Sequence, residues 1–343
     1  MEKRIRVVQM GLGPIGNKVT EFLVEKSDLQ IVGAIDADPA KVGQDVGTLA
    51  GQSPVGIKVS ADLQSVLGKR DVDLVLLTTT SSLTQTCEQL LQLLPYGVNV
   101  ISSCEELSYP WLTNPQVAAK IDQLAKQNKV AVLATGVNPG FLMDFLPVVL
   151  SGVCRDVRQI TVERIQDATF RRIPFQQKIG AGLTVPGFHA KVKEGTLRHV
   201  GLTESLHMIS SALGWKLDKT DEAITPIIAE QAVNTEAMSI RAGDVRGVQQ
   251  IGRGILAGQE VITLFFRAAI AEPEARERIR IEGVPTIDSC IQGGVNGDVA
   301  TCALLLNAIP AVIQARPGLR TMIDIAPPHC FSASGAKNMR ASR

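Results

Sequence analysis

The chain has 343 residues, 45% of them hydrophobic and 20% charged, which is the composition of an ordinary globular protein with enough length for two domains. Its 35 basic and 34 acidic residues leave a formal net charge of +1, with no long block of either sign, so we expect a small-molecule ligand and no nucleic acid. No uninterrupted apolar stretch reaches the roughly 18 residues that a membrane-spanning helix needs, so we expect no membrane partner.

Cysteine and histidine usage argues against disulfide bonds and metal chemistry. The six cysteines are scattered without a CxxC pair, which is typical of reduced thiols in a cytoplasmic protein. The four histidines form no HExxH or other ligand-like cluster. The residues ahead of Ile5 run directly into the first predicted strand, so no secretory segment is expected. We therefore predict a cytoplasmic protein without a bound metal.

From Ile5 to about Phe141, short β-branched runs alternate with segments that carry apolar residues at spacings of three and four. This alternation predicts an α/β fold with a parallel sheet and crossover helices, the architecture of a Rossmann domain. The predicted strands are 5–10, 30–35, 56–59, 73–78, 98–102 and 130–134, and the predicted helices are 15–26, 83–94 and 115–128.

A glycine-rich turn follows the first predicted strand, with Gly11, Gly13 and Gly16 in GxGxxG spacing. Gly11 would permit a tight turn, Gly13 would let the backbone approach a pyrophosphate, and Gly16 would let the next helix lie close to the sheet. Pro14 and Ile15 would stand in the first helical turn beside the phosphates. Because a strand precedes the motif and a helix follows it, we predict a dinucleotide site. A strand-to-helix turn without a ligand is the alternative.

Asp36 directly follows the second predicted strand, twenty positions after Gly16. A carboxylate there can accept hydrogen bonds from both ribose hydroxyls and would repel a 2′-phosphate, which favours NAD over NADP. Lys41 lies close in sequence and could bind such a phosphate, so NADP stays possible. Without a cofactor, Asp36 would form the Asx turn before Pro39.

Ligands of open α/β sheets bind beyond the carboxyl ends of the strands, so the loops after the later strands are further candidates. A hydroxyl-rich loop follows the fourth strand, where contacts to cofactor phosphate or ribose compete with helix capping by Ser81 or Ser82. A glycine- and proline-rich turn follows the sixth strand and could meet the cofactor carboxamide, although a structural turn explains it equally well. The candidate cofactor residues in these two loops are Thr78, Thr79, Thr80, Ser81, Ser82, Asn138, Pro139 and Gly140.

Two adjacent carboxylates, Glu105 and Glu106, follow the fifth predicted strand, directly after Cys104, which we place among the cofactor-binding residues. In an extended segment neighbouring side chains point to opposite faces, so at most one of the two enters the site. Burial beside an apolar ring would raise the pKa of that carboxyl group and make it a usable proton acceptor near neutral pH. Two solvated loop glutamates are the alternative.

The pattern changes after Gly152. Alternating residues in 160–165, 225–240 and 248–267 predict a mostly antiparallel sheet with one face covered. Helical periodicity then returns in 298–314, and we expect this helix to pack back on the first domain and close the cleft. The predicted domains are 1–145 for dinucleotide binding, 146–297 for substrate, 298–330 for the returning helix, and 331–343 as a frayed tail.

The glycine turn, the tract Ala34–Pro39, the tract Glu105–Trp111 and the tract Gly136–Phe141 together resemble the 2,4-diaminopentanoate dehydrogenase family and its relatives, the native amine dehydrogenases. The resemblance implies a dihydrodipicolinate reductase-like fold, a C-terminal α+β domain that forms a homodimer, and NAD(P)-dependent reversible oxidative deamination. It implies that the family's catalytic carboxylate lies in the Glu105–Glu106 pair, and we favour Glu105. The implied substrate residues are Phe141, Phe170, Phe175, His189, Asn296 and Thr301.

Two other functions stay open. A cyclic-imine reductase of the dihydrodipicolinate type would carry a basic HHxxK tract, which this sequence lacks. A sensor that binds NAD(H) without turnover is the other alternative. A substrate with a second amine or a carboxylate would need a charged partner in the second domain, for which the candidates are Arg164, Arg171, Arg172 and Lys178.

Overall fold

A computed structural model describes residues 4–68, 71–236 and 238–331; most of the predicted tail, residues 332–343, lies outside them. The described strands are β1 (Ile5–Met10), β2 (Leu29–Ile35), β3 (Val59–Ser60), β4 (Leu74–Leu77), β5 (Asn99–Ser102), β6 (Ala131–Ala134), β7 (Asp156–Asp167), β8 (Lys219–Ile228), β9 (Val233–Asn234), β10 (Ser239–Ile240), β11 (Val245–Leu256), β12 (Gln259–Ala269), β13 (Arg276–Val284), β14 (Ile287–Gln292) and β15 (Gly318–Arg320).

The described helices are α1 (Pro14–Glu25), α2 (Val46–Leu49), α3 (Leu63–Leu67), α4 (Leu83–Leu93), α5 (Pro110–Thr113), α6 (Pro115–Gln127), α7 (Phe145–Ser151), α8 (Ile173–Lys178), α9 (Val185–Lys193), α10 (Leu202–Ala212), α11 (Gly297–Asn307) and α12 (Ile309–Ile313). Short 3₁₀ turns cover Leu94–Tyr96, Glu105–Leu107 and Met322–Asp324. Within these residues, no helix combines the length and the apolar character needed to cross a bilayer.

The chain divides into two compact units. The first contains the described residues up to Gly140 together with those from Gly297 onward, and the second is Phe141–Asn296. Phe141 belongs to the second unit, where its carbonyl oxygen accepts a hydrogen bond from the Leu146 amide at 2.8 Å.

The first unit is built on a seven-stranded sheet in the order β15-β6-β5-β4-β1-β2-β3. All of its strand pairs are parallel. Every residue of β4 and β6 is buried, as expected of strands whose two faces are both covered by helices. The chain leaves β1 towards β2 and β3 on one side and later continues from β4 to β6 on the other. The strand order therefore reverses between β1 and β4, and such a switch point is where open α/β sheets bind ligands.

The six predicted strands of this sheet are present. The first unit differs from the prediction in three places. The third is Val59–Ser60 and not 56–59, because Gly56 has a φ of 79°, outside the range of a strand. The seventh strand, β15, has three residues and was not predicted. The helix predicted over 298–314 is two helices, α11 and α12, because Pro310 lacks the amide needed to continue the first.

The second unit contains a six-stranded sheet in the order β14-β13-β7-β12-β11-β8. The expectation of a mostly antiparallel sheet needs correction, because the sheet is mixed: its two central strands, β7 and β12, are parallel, and the outer pairs are antiparallel. The helices α8, α9 and α10 and the strand pair β8–β11 separate β7 from β12 in sequence, which leaves room for the crossover that parallel pairing requires.

Two of the long alternating segments are interrupted. The segment 248–267 is a hairpin in which Ala257 and Gly258, with φ values of 51° and 75°, form the two-residue turn between β11 and β12. The segment 225–240 ends β8 at Ile228 and then forms the separate two-stranded sheet of β9 and β10. One face of the six-stranded sheet is covered by helices, and its core contains Val162, Leu206 and Leu264.

Candidate functional site

The glycine turn lies at the carboxyl end of β1, beside the switch point. Gly11 has a φ of 89°, and a Cβ built on it would lie 2.7 Å from the carbonyl oxygen of Thr78. A Cβ on Gly16 would lie 1.9 Å from the carbonyl oxygen of Gly11, so α1 approaches the turn at a distance that only glycine allows. A Cβ on Gly13 would meet no described atom within 4 Å. The fold therefore requires glycine at positions 11 and 16, whereas Gly13 borders open space, as a pyrophosphate-binding position would.

The first turn of α1 offers backbone amides to an anion. Gly13 is the N-cap and Pro14 occupies the first turn, where its missing N–H costs no helical hydrogen bond. The first bond within the helix runs from the Asn17 amide to the Gly13 carbonyl oxygen at 2.9 Å. The amides of Ile15 and Gly16 precede that bond, and the helix dipole favours a negative charge beside them.

Asp36 follows β2, and three donors hold its carboxylate. Oδ2 accepts from the Leu12 amide at 2.7 Å and from Lys41 Nζ at 3.1 Å, and Oδ1 accepts from the Asp38 amide at 2.9 Å. Burial raises the pKa of Asp36, but the two amides and the ammonium outweigh burial and leave the pKa below its usual value. The carboxylate is therefore ionised at neutral pH and tied to the glycine turn, with a cation beside it.

Thr78, the first residue of the hydroxyl-rich loop after β4, is buried and serves the glycine turn. Its Oγ1 donates to the Gly11 carbonyl oxygen at 2.9 Å and accepts from Gln9 Nε2 at 2.7 Å. Gln9 also donates to the Gly11 carbonyl oxygen at 2.9 Å. The buried Thr78 side chain thus holds the backbone of the glycine turn in place.

The rest of that loop divides into engaged and available hydroxyls. Thr79 and Thr80 donate from Oγ1 to glutamine side chains of α4, at 2.6 and 2.9 Å. Ser82 is the N-cap residue of α4, but its side chain makes no capping hydrogen bond. In the part of the chain that the structure describes, the hydroxyls of Ser81 and Ser82 form no hydrogen bond, so these two side chains can meet a ligand.

Glu105 and Glu106 lie in the 3₁₀ turn directly after β5, and their carboxylates differ in their contacts. Glu106 Oε2 accepts from the Leu83 amide at 2.8 Å, which supplies the cap of α4 that Ser81 or Ser82 was expected to provide. The Glu105 side chain is half-buried, and its carboxylate forms no hydrogen bond or ion pair with a described residue. The structure therefore leaves Glu105 as the carboxylate of the pair that is available to a substrate.

Cys104 links the loops after β4 and β5. Its side chain is buried, and Sγ donates to the carbonyl oxygen of Ser81 at 3.2 Å. Burial raises the pKa of the thiol to about 11, so Cys104 stays protonated at neutral pH and is no nucleophile. The role of Cys104 in cofactor binding stays a prediction.

The turn after β6 is fixed by α11. The Val137 amide donates to Thr301 Oγ1 at 3.1 Å, so the hydroxyl predicted to contact substrate holds the turn. Gly140 has a φ of 122°, and a Cβ on it would lie 2.6 Å from the Gly136 amide nitrogen. Asn138 is buried, and the peptide bond between Asn138 and Pro139 is cis.

The other predicted substrate residues belong to the second unit, where their surroundings differ. Phe141 lies 6.2 Å from the ring of Phe145, between ring centroids, and the Arg171 guanidinium lies 4.1 Å from the centroid of Phe175. Three are exposed: Phe170, at 92%, His189 and Asn296. No ring contact joins any two of the four aromatic side chains among the described residues, and their role in substrate binding stays a prediction.

The second unit contains a buried acid, Glu277, that was not predicted from the sequence. Arg164 on β7 and Glu277 on β13 are register partners and form an ion pair, with 2% and 4% of their side chains exposed. Glu277 Oε1 also accepts from the Val295 amide at 3.3 Å. The sequence pattern does indicate that Glu277 is buried, because it alternates in phase with Ile279 and Ile281, which are both buried.

The described residues contain no group of three histidine, cysteine, aspartate or glutamate side chains that could hold a metal ion. What the first unit offers is a turn and helix end suited to a pyrophosphate, an ionised carboxylate suited to a ribose, and one available carboxylate after β5. These features define a Rossmann-type dinucleotide-binding protein of the dehydrogenase kind.

Comparison with known proteins identifies the family. Residues 141–341 match the model of the 2,4-diaminopentanoate dehydrogenase C-terminal domain, and residues 5–104 match that of the dihydrodipicolinate reductase N-terminus. The chain is 35% identical over 344 residues to 2,4-diaminopentanoate dehydrogenase of Acetoanaerobium sticklandii, with 96% of each chain covered. The chain belongs to the 2,4-diaminopentanoate dehydrogenase family, which confirms the family predicted from its sequence motifs.

Amine dehydrogenases are similar to it along nearly the whole chain. The enzyme of Streptomyces virginiae is 23% identical over 350 residues, which cover 94% of this chain and 96% of the relative. A solved structure of amine dehydrogenase from Mycobacterium smegmatis superposes with a TM-score of 0.83 at 28% identity, covering 96% of this chain and 98% of that one.

Proposed function

We propose that the protein is an NAD(P)-dependent amine dehydrogenase, which converts a primary amine or diamine to a ketone or aldehyde and ammonia and catalyses reductive amination in reverse. Family membership and the names of the relatives, 2,4-diaminopentanoate dehydrogenase and amine dehydrogenase, support this class of reaction. The observation that carries the chemistry is the half-buried, uncommitted carboxylate of Glu105 at the carboxyl edge of the parallel sheet.

Glu105 can supply the proton acceptor that this reaction needs from the protein. Its carboxylate accepts a proton from the substrate ammonium, so that the nitrogen lone pair can assist departure of a hydride from the adjacent carbon. The bound nicotinamide supplies the acceptor for that hydride. Water then adds to the iminium carbon, and Glu105 orients the water before ammonia leaves. Glu106 instead holds the Leu83 amide through Oε2 and so caps α4.

We infer that the cofactor is NAD(P) with a preference for NAD. The residues present fit a dinucleotide, since Gly13 leaves the pyrophosphate position free of side-chain atoms and the Asp36 carboxylate can accept the ribose hydroxyls. Lys41 adds a positive charge next to Asp36 and so offsets part of the repulsion between the Asp36 carboxylate and a 2′-phosphate. We propose that NADP is also used, with lower efficiency than NAD.

We further propose a homodimer formed through the second unit. The support is the face of its sheet opposite the helices, where Thr161, Glu163, Thr263 and Phe265 are only partly buried within one chain. The molar mass in solution, measured by light scattering, tests this assembly.

A panel of short-chain primary amines, diamines and diamino acids, assayed with NAD⁺ and with NADP⁺, tests the proposed function. We expect steady-state cofactor reduction with at least one amine, and a higher kcat/KM for NAD⁺ than for NADP⁺. Binding of NADH without turnover of any amine would instead identify a sensor. Turnover confined to a cyclic imine would identify a reductase of the dihydrodipicolinate type.

A further inference from the structure

Gln9 is a fully buried amide on β1, an inner strand of the parallel sheet. Its register partners are Ala34 on β2 and Leu76 on β4, and both of these apolar side chains are buried. A buried amide lowers stability unless it is hydrogen-bonded, and Gln9 Oε1 accepts no hydrogen bond from a described residue. A methionine side chain would fill a similar space without that cost. The stability of the sheet is therefore a weak reason for glutamine at this position.

The NH₂ group of Gln9 makes its contacts at the glycine turn. Nε2 donates to the Gly11 carbonyl oxygen at 2.9 Å and to Thr78 Oγ1 at 2.7 Å. The Thr78 hydroxyl in turn donates to the same carbonyl oxygen at 2.9 Å. With the amide reversed, Oε1 would face the Gly11 carbonyl oxygen, and two acceptors would repel each other. The two side chains therefore hold the Gly11 carbonyl group towards themselves.

The peptide between Gly11 and Leu12 links these donors to Asp36. This peptide is trans, so its carbonyl oxygen and its N–H point in opposite directions. The carbonyl oxygen faces Gln9 and Thr78, and the Leu12 N–H donates to Asp36 Oδ2 at 2.7 Å. Because Gly11 has no Cβ, its backbone permits other orientations of the peptide plane. The hydrogen bonds at the two edges of the plane therefore fix its orientation.

We propose that Gln9 is a positioning residue for the cofactor: by holding the Gly11 carbonyl, it keeps the Leu12 amide directed at Asp36 and so orients the carboxylate that meets the ribose. This inference rests on the proposed placement of the ribose at Asp36 and deepens it. The Leu12 amide is one of the donors that lower the pKa of Asp36, so a peptide turned the other way would remove that donor. The pKa of Asp36 therefore reports on this peptide in the protein without cofactor.

The test is the substitution Gln9→Met, which keeps a side chain of similar length but has no N–H to donate. We expect the Kd for NADH, measured by fluorescence titration, to rise about fivefold to tenfold, the size of one hydrogen bond. The preference for NADH over NADPH should shrink, because the Asp36 carboxylate is the group that discriminates at the ribose. Without cofactor, the pKa of Asp36, measured by ¹³C NMR of its carboxyl carbon, should rise towards 3.8.

Val7→Ala is the matched control, because Val7 lies two residues earlier on β1, on the same face, and is equally buried. It should lower the thermal midpoint and leave both the NADH affinity and the pKa of Asp36 unchanged. A Gln9→Met protein that is less stable, yet keeps the wild-type Kd and the wild-type pKa of Asp36, would show a purely structural glutamine and overturn the inference.

Asp36→Asn separates the role of Gln9 from the proposed cofactor site. If Asp36→Asn weakens NADH binding and Gln9→Met does not, the role of Gln9 alone is wrong. An unchanged Kd in Asp36→Asn would place the ribose elsewhere and overturn the proposed site itself.

If Gln9→Met does not fold, a crystal structure of the wild-type protein with NADH decides. The inference requires the Gly11 carbonyl on Gln9 Nε2, with the Asp36 carboxylate bonded to both the Leu12 amide and the ribose. A Gly11 carbonyl turned away from Gln9 in that complex would overturn it.

Discussion

The carboxylate of Glu106 and the backbone amide of Leu83 are joined by a hydrogen bond of 2.8 Å, although the residues lie 23 positions apart in the chain. This bond ties the turn after β5 to the first residue of α4, and Cys104 adds a second tie to the carbonyl oxygen of Ser81. The loops after β4 and β5 are therefore held together, and Glu105 stands on the turn that they fix.

Replacing Glu106 by alanine removes the only side-chain acceptor that caps α4 among the described residues. We expect the free energy of unfolding to fall by about 1 kcal/mol, measured by urea denaturation. Glu106→Gln keeps an acceptor oxygen and should lose less. A stable Glu106→Gln protein without turnover would move the acid–base role from Glu105 to Glu106.

Glu105→Gln keeps the size of the side chain and removes its ability to accept a proton. We expect kcat for amine oxidation to fall about 100-fold or more, with the stability and the NADH affinity unchanged. Glu88→Gln, on an exposed position of α4, is the matched control and should keep full activity. Full turnover by the Glu105 variant would exclude this residue as the proton acceptor.

Local sequence patterns were sufficient to predict much of the first unit. Its strands are short, apolar and separated by turn residues, and the glycine spacing constrains the backbone at Gly11 and Gly16 so strongly that few other structures fit it. The ends of α1, α4 and α6 lie within about one residue of the predicted helices, because apolar spacing and proline mark them.

Contacts between residues far apart in the chain could not be predicted from local sequence patterns. Which glutamate caps α4 depends on Leu83, and the partner of Arg164 lies 113 positions along the chain. Parallel pairing of β7 with β12 likewise depends on the order in which the strands assemble, which alternation alone does not encode. The three-residue strand β15 is too short to show a period.

The glycine turn allows a matched pair of substitutions. Gly13→Ala adds a methyl group where no described atom lies within 4 Å, so the fold should persist. Because that space is where the pyrophosphate is expected, KM for the cofactor should rise about tenfold, equivalent to about 1.4 kcal/mol of binding. Gly16→Ala would place its methyl group 1.9 Å from the Gly11 carbonyl oxygen and should lower the thermal midpoint. Unchanged KM in a folded Gly13→Ala protein would contradict the proposed site.

Cofactor choice should respond to the Asp36–Lys41 pair. Asp36→Asn removes the charge that repels a 2′-phosphate and leaves Lys41 without this partner, so kcat/KM should rise for NADP⁺ and fall for NAD⁺. Lys41→Ala should instead lower the residual activity with NADP⁺. The ratio of the two kcat/KM values is the measurement, and a ratio that neither variant changes would place the ribose elsewhere.

Asp36 should also make the free energy of unfolding depend on pH in acid. Its pKa is lowered in the folded protein from the ordinary value of 3.8, because the donors from Leu12, Asp38 and Lys41 outweigh burial. A carboxyl group of this kind stabilises the fold fully above its unfolded pKa, and that contribution is lost as the pH falls through the folded pKa. The difference in unfolding free energy between the wild type and Asp36→Asn should therefore be constant near neutral pH and shrink below 3.8. Urea denaturation of both proteins across this range measures it, and a difference that grows with acid would contradict the stabilised carboxylate.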